Sequence, residues 1–157
     1  MRPAMALVLI AFTGSCAERQ APLRVDRIEM RQSGWSSVDV QINRRGEGKY
    51  QMSLYPRERK GSFSVSPRQF AALVERLQPF QKQAVPMNDQ SVRKIFDFRC
   101  PKGLPDVTDA GGFWIRWVGP KFDIHFSVDF GCDYKRNRVR NDQLRSILED
   151  LSIPALL

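Results

Sequence analysis

The sequence predicts an α+β domain: an antiparallel β-sheet of about five to six strands with two amphipathic helices packed on one face. Three observations predict it. Apolar residues recur at every second position in several segments, the longest being Phe122, Ile124, Phe126, Val128 and Phe130. These segments are joined by short polar turns, which makes neighbouring strands antiparallel. Two other stretches carry apolar residues at helical spacing, and each needs an apolar surface to cover. A chain of 157 residues with 42% hydrophobic composition fits a single globular domain rather than a disordered basic tail.

The elements follow in order. Ile28 and Met30 alternate with charged neighbours and start a first strand, which ends at a turn around Ser33-Gly34. Val38, Val40 and Ile42 form a half-buried second strand. The polar, glycine-containing run Arg44-Arg45-Gly46-Glu47-Gly48 turns it into Tyr50, Met52 and Leu54, a hairpin with a loop of about four or five residues. Pro56 to Gly61 reads as a charged turn before a short extended segment at Phe63 and Val65.

The first helix has the clearest local signature. Ser66 caps it, Pro67 fits its first position, and Gln69 completes a capping box. Phe70, Leu73, Val74 and Leu77 line one face, and Pro79 is the expected end. Val92, Ile95 and Phe96 fit neither period well, leaving strand and short helix both open for Val92 to Phe98. After a loop from Cys100 to Gly112 come Phe113, Ile115 and Trp117, a turn at Gly119-Pro120-Lys121, and the Phe122 to Phe130 stripe, expected at the centre of the sheet. A last helix begins near Asn141, with Leu144, Ile147, Leu148 and Leu151 inward, and ends before Pro154.

The N-terminus gives an address. Arg2, then apolar residues from Ala4 to Phe12, then Thr13-Gly14-Ser15-Cys16 make a secretory signal pattern that is too short to span a bilayer. Gly14 and Ser15 before Cys16 resemble the lipobox of bacterial lipoproteins, and the whole-chain pattern is similar to that of small lipoproteins of Gram-negative bacteria. Thr13 stands where that family usually carries Leu, Val or Ile. The resemblance implies removal of residues 1–15 and lipidation of Cys16; the small, polar run 16–24 reads as a tether, and 25–157 as one domain. Several acyl chains on Cys16 would hold the protein stably at a membrane face. Ala17, in place of the Asp found in many inner-membrane lipoproteins, favours the outer membrane on the periplasmic side. Cleavage after Ala17, giving a soluble exported protein, is the competing reading.

Export also bears on the other two cysteines. Cys100 and Cys132 are left as an even pair in an oxidising compartment, and a disulfide is expected between them. It would close a loop of about 33 residues and contribute roughly 3.5–4 kcal/mol in the chain-entropy model.

Catalytic and metal chemistry find little support in the residues. A single histidine excludes a multi-histidine metal site, and no ordered calcium-loop or phosphate-binding glycine motif occurs. Asp123, His125 and Ser127 alternate along one strand and evoke a triad, but alternate residues stand about 6.5–7 Å apart, too far for hydrogen-bond contact. A solvated strand face is the expected role of this set. Asp106, Asp109, Asp129 and Asp133 are expected to serve turns. Of Trp35, Trp114 and Trp117, the last two point to opposite sides of a regular strand.

The formal charge of +8 falls to +7 once Arg2 leaves with the signal. Its cations cluster at expected turns: Arg44 and Arg45; Arg57, Arg59 and Lys60; Lys135, Arg136, Arg138 and Arg140. Outside the cytoplasm these form a candidate anion-binding surface for envelope material, not for nucleic acid. The expectation is therefore a non-enzymatic binding or structural module of the cell envelope, without cofactor or metal. Its expected partners are a membrane, through the lipid, and an anionic envelope component or envelope protein. An inhibitor of an envelope hydrolase is the alternative, and a small envelope hydrolase a third reading.

Overall fold

The computed structural model describes residues 23–151 and Ile153. The signal, Cys16 and most of the tether therefore lie outside the described residues. The elements run β1 (Arg27–Ser33), β2 (Ser37–Asn43), β3 (Glu47–Leu54), β4 (Arg57–Ser64), α1 (Pro67–Gln81), β5 (Val85–Pro86), α2 (Asp89–Phe96), β6 (Gly112–Gly119), β7 (Phe122–Asp129) and α3 (Arg138–Glu149). One antiparallel sheet of seven strands has the order β4-β3-β2-β1-β6-β7-β5. The α+β class is as expected, with seven strands rather than five or six and three helices rather than two.

Two of the added elements have simple physical reasons. The charged segment expected as a turn is β4, whose Arg57, Glu58, Arg59 and Lys60 are all exposed. It is an edge strand, and it carries charge on both faces, whereas the inner strands β1 and β2 keep their charge to the face away from the core. β5 is only two residues long and pairs with Ile124 and His125 of β7.

The β2–β3 turn is tighter than expected, with three residues between the strands. Gly46 takes φ +85° there, and Asn43 Oδ1 accepts from the amides of Arg45 (2.9 Å) and Glu47 (3.1 Å). Such a loop uses a left-handed glycine to continue the strand twist.

Register assigns every sheet residue to a face, because directly opposed residues share one. On one face Ile42, Ile28, Trp117 and Ile124 form a row across four strands, with Val40, Met30, Ile115 and Phe126 beside it. α1 and α3 cover this face. Phe70, Leu73, Leu77 and Phe80 of α1 and Leu144, Ile147 and Leu148 of α3 are buried in the same core. The helices also meet each other, through Arg76 with Ser146 (2.7 Å) and an Arg76–Asp150 ion pair.

The Ser66–Gln69 capping box forms as expected. The helix nevertheless continues past Pro79 to Gln81. Phe80 explains the extension: it is buried, with its ring centroid 5.5 Å from that of Phe126.

The centre of the sheet also differs from expectation. β1 and β6 are central and carry the most buried side chains, including Ile28, Met30, Phe113, Ile115 and Trp117. β7 lies next to the edge, so Phe122, Ile124 and Val128 are only half-buried, while Phe126 and Phe130 are buried. Strict alternation marks a strand with two unlike faces; it does not mark a central one.

Candidate functional site

The second face of the sheet is polar, and register orders it into two rows. One runs Lys60, Gln51, Asp39, Arg31, Trp114 and Ser127 from β4 to β7. The adjacent row runs Lys49, Gln41, Glu29, Arg116 and His125.

α2 stands over the His125 end of these rows. Its start is fixed locally: Asn88 Oδ1 accepts from the Ser91 amide (2.9 Å), and Ser91 Oγ accepts from the Asn88 amide (3.1 Å). Asp89 in the first turn and Arg93 and Lys94 in the last complement the helix dipole. Val92, Ile95 and Phe96 lie on one side at the i, i+3, i+4 spacing. None of the eight residues is buried, and Phe96 is 76% exposed.

Ser91 connects this helix to the sheet. Its hydroxyl lies 2.8 Å from His125 Nε2, while His125 Nδ1 is buried without a partner among the described residues. His125 was expected on a solvated face; at 2% exposure it is among the most buried side chains. The alternation had placed it correctly opposite the core, but α2 covers that side. Burial holds the imidazole below its ordinary pKa, against the favourable field of Asp123 and in the same direction as the positive Arg116.

Beside it, Arg116 Nε and Nη2 donate to the two carboxylate oxygens of Asp123 at 2.7 and 2.6 Å, and Nη1 donates to Glu29 at 3.2 Å. The Asp123 hydrogen bonds raise the Arg116 pKa further, and Arg116 in turn holds the Asp123 carboxyl below its ordinary value. Asp123, His125 and Ser127 are thus not assembled as a triad. Both oxygens of the acid are directed to Arg116, and the hydroxyl that reaches the imidazole is Ser91.

Between α2 and the polar rows lies an open groove of about 910 Å³. Trp114 is in its floor, Met87, Val92, Ile95 and Phe96 form its apolar side, and Lys49 and Lys60 stand at the far end. A second hollow of about 1220 Å³ continues from it past Ser127 to the loop around Cys100 and Asp106 to Gly111. The groove falls within the size range of small-molecule sites.

The expected disulfide pins the second hollow. Cys100 and Cys132 are bonded, with Cα atoms 5.3 Å apart. The loop is held against the end of β7 by Val107 N to Gly131 O (3.2 Å), Asp133 N to Pro105 O (2.7 Å) and Phe130 N to Gly111 O (2.9 Å). Gly131 permits this approach, since an added Cβ would lie 2.0 Å from Val107 O. The loop acids serve turns: Asp129 Oδ1 accepts from Gly131 and Cys132, and Asp109 and Asp133 adopt φ 60° and 47°.

The nine cations of the candidate anion surface do not gather in one place. Arg44 and Arg45 are on the β2–β3 turn at one end of the sheet. Arg57, at the start of β4, and the Lys135–Arg140 run, on the turn after β7 and the first turn of α3, lie toward the other end, and β4 and β7 are themselves five inter-strand spacings, roughly 24 Å, apart. Arg59 opposes Met52 on the helix-side face, and Lys60 alone of the nine enters the groove. Lys135, Arg136 and Arg138 are exposed, whereas Arg140 is half-buried, bonds Asn141 Oδ1 at 2.8 and 3.0 Å, and has its pKa lowered by desolvation. The tryptophans divide three ways, with Trp117 in the core, Trp114 in the groove and Trp35 87% exposed on the β1–β2 loop.

Sequence reasoning missed Ser91, Lys49 and the groove itself. The Asn88-x-x-Ser91 capping pattern was the available signal for α2. Among the described residues there is no cluster of three or more potential metal-ligating His, Cys, Asp or Glu, and no helix long and apolar enough to cross a membrane. No family model matches the chain, and no curated protein matches it in sequence.

Proposed function

We propose that the chain is an exported binding module, tethered to the periplasmic face of a membrane through lipid on Cys16, that holds its ligand in the groove under α2 without chemical conversion. The observation that carries this reading is α2 itself. A helix with no buried residue stands on a polar sheet face and holds Val92, Ile95 and Phe96 above Trp114. Apolar side chains gathered at an open groove are a usual mark of a binding surface. The Cys100–Cys132 disulfide supports an oxidising compartment, and the lipobox-like residues Gly14, Ser15 and Cys16 support the anchor.

A hydrolase reading draws on the Ser91–His125 contact. It is the weaker one, because Ser91 Oγ already serves the helix cap and no carboxylate among the described residues bonds the imidazole. The inhibitor reading has the charge against it, since a +7 chain repels the basic lysozymes.

A photo-crosslinking residue at position 95 tests the proposal in intact cells, with one at exposed position 75 on α1 as control. Adducts from position 95 alone are expected; equal yields from both positions, or none from 95, would overturn it. A mass shift on the mature N-terminus, lost on Cys16→Ser, tests the tether, and an unmodified N-terminus refutes it.

A further inference from the structure

The two ends of the groove differ in chemistry. Under α2, Met87, Val92, Ile95 and Phe96 face Trp114, and this end offers few side-chain hydrogen-bonding groups. At the β3–β4 end stand Lys49 and Lys60, on adjacent strands and on the same sheet face, separated by one register step. Carboxylates elsewhere on the floor are already used. Arg31 pairs with Asp39, and Arg27 and Arg116 pair with Glu29. Neither Lys49 nor Lys60 has a carboxylate within ion-pair distance among the described residues.

Resting on the binding-module reading, we propose that the groove binds a single-chain amphiphilic anion. Its hydrocarbon chain lies between α2 and Trp114, and its carboxylate or phosphate head meets Lys49 and Lys60. The span fits: from β6 to Lys49 on β3 there are three inter-strand spacings and to Lys60 on β4 four, roughly 14 and 19 Å, the reach of an extended twelve-carbon chain met by a lysine side chain. Charge complementarity selects the head group, because two unpaired ammonium groups on one face attract an anion and gain from neutralisation. A sugar fits less well. Its ring hydroxyls would lose water against the aliphatic side of α2 and find no partners there. The head-group site is cationic but open to solvent, so its contribution should fall with added salt.

Calorimetric titration of the full mature protein tests this with three probes: laurate, the uncharged amphiphile dodecyl maltoside below its micelle concentration, and inorganic phosphate. Laurate should bind most tightly, dodecyl maltoside more weakly, and phosphate not measurably. The double variant Lys49→Gln, Lys60→Gln should weaken laurate by about tenfold, the loss expected for charge-assisted hydrogen bonds, and weaken dodecyl maltoside much less. Ile95→Asp should abolish binding of both amphiphiles, with circular dichroism confirming that the variant is folded.

Equal affinity for laurate and dodecyl maltoside, or an undiminished laurate affinity in the double lysine variant, would overturn the head-group assignment. Phosphate binding as tight as laurate would reduce the site to a bare anion site and overturn the amphiphile. If no probe binds while position 95 still crosslinks in cells, the ligand class is wrong and the binding module stands, with a peptide or protein in the groove. If crosslinking is absent too, both fall.

Discussion

Ser91 Oγ lies 2.8 Å from His125 Nε2, and this contact ties α2 to the polar face of the sheet. The same hydroxyl accepts from the Asn88 amide, so one side chain both closes the helix cap and docks the helix. The imidazole it meets is buried, and a buried imidazole is stable only while neutral.

That burial predicts a pH dependence. The folded-state pKa of His125 lies below its ordinary value of 6.5, so the unfolded chain binds the proton more readily. Its stabilising effect is complete above the unfolded pKa and is lost as pH falls from there toward the folded pKa. Chemical denaturation from pH 7.5 to 5 should show a declining midpoint, and the decline should be shallower in His125→Gln. Parallel profiles for the two proteins would show that another group titrates. Ser91→Ala should cost about 1–3 kcal/mol, as expected when a buried polar group loses its partner and a cap is weakened.

Arg116 makes a second prediction through geometry rather than charge. Its two parallel hydrogen bonds to Asp123 use the planar guanidinium fork, which an ammonium cannot reproduce. Arg116→Lys keeps the charge and should still cost about 1 kcal/mol, a modest figure because the pair is partly exposed to solvent screening. The measurement is a urea midpoint at low and high salt. Loss of stability that persists in high salt supports the geometric account, and full retention of stability by the lysine variant contradicts it.

The parts of the fold legible in the sequence were those fixed by neighbours in the chain. Ser66, Pro67 and Gln69 specify the start of α1 within four residues, and the alternation around Val40 and Ile115 specifies strands directly. The parts that were not legible depend on what covers a surface. His125 was assigned to the correct side of β7, but alternation says nothing about α2 packing over that side. α2 has only eight residues and three apolar positions, and it buries none of them, so its hydrophobic signal was weak. Lys49, Lys60 and Trp114 share a groove only through the register of β3, β4 and β6, which no local pattern in the chain specifies.

Gly131 makes a third prediction from close packing. Its Cα faces the Val107 carbonyl so closely that a methyl group would lie 2.0 Å from the oxygen, and that oxygen belongs to backbone, which cannot swing aside as a side-chain tip can. Gly131→Ala must therefore displace the 105–111 loop or the end of β7. A loss of about 1–3 kcal/mol is expected, in the range for overpacking. Thermal unfolding checks the magnitude, and amide exchange at Val107 and Asp133 checks the location. Unchanged stability and exchange would mean that the contact relaxes freely.

The disulfide bears on the same loop by a different mechanism. Cys100 and Cys132 are separated by 32 positions, and the bond between them spans most of the distance from α2 to α3 along the chain. In the chain-entropy model, removing such a bond restores about 3–4 kcal/mol of denatured-state freedom. The Cys100→Ser, Cys132→Ser protein should lose that much in denaturant, while the wild type should show no free thiol at either position before reduction. The loop keeps its backbone hydrogen bonds to Gly131 and Asp133 in either case, so the loss should be global, with Val107 exchange tracking overall stability. If instead Val107 exchanges rapidly while overall stability holds, the bond orders the loop locally and contributes little to the fold. That outcome would remove the denatured-state mechanism and place the disulfide's effect at the hollow beside His125.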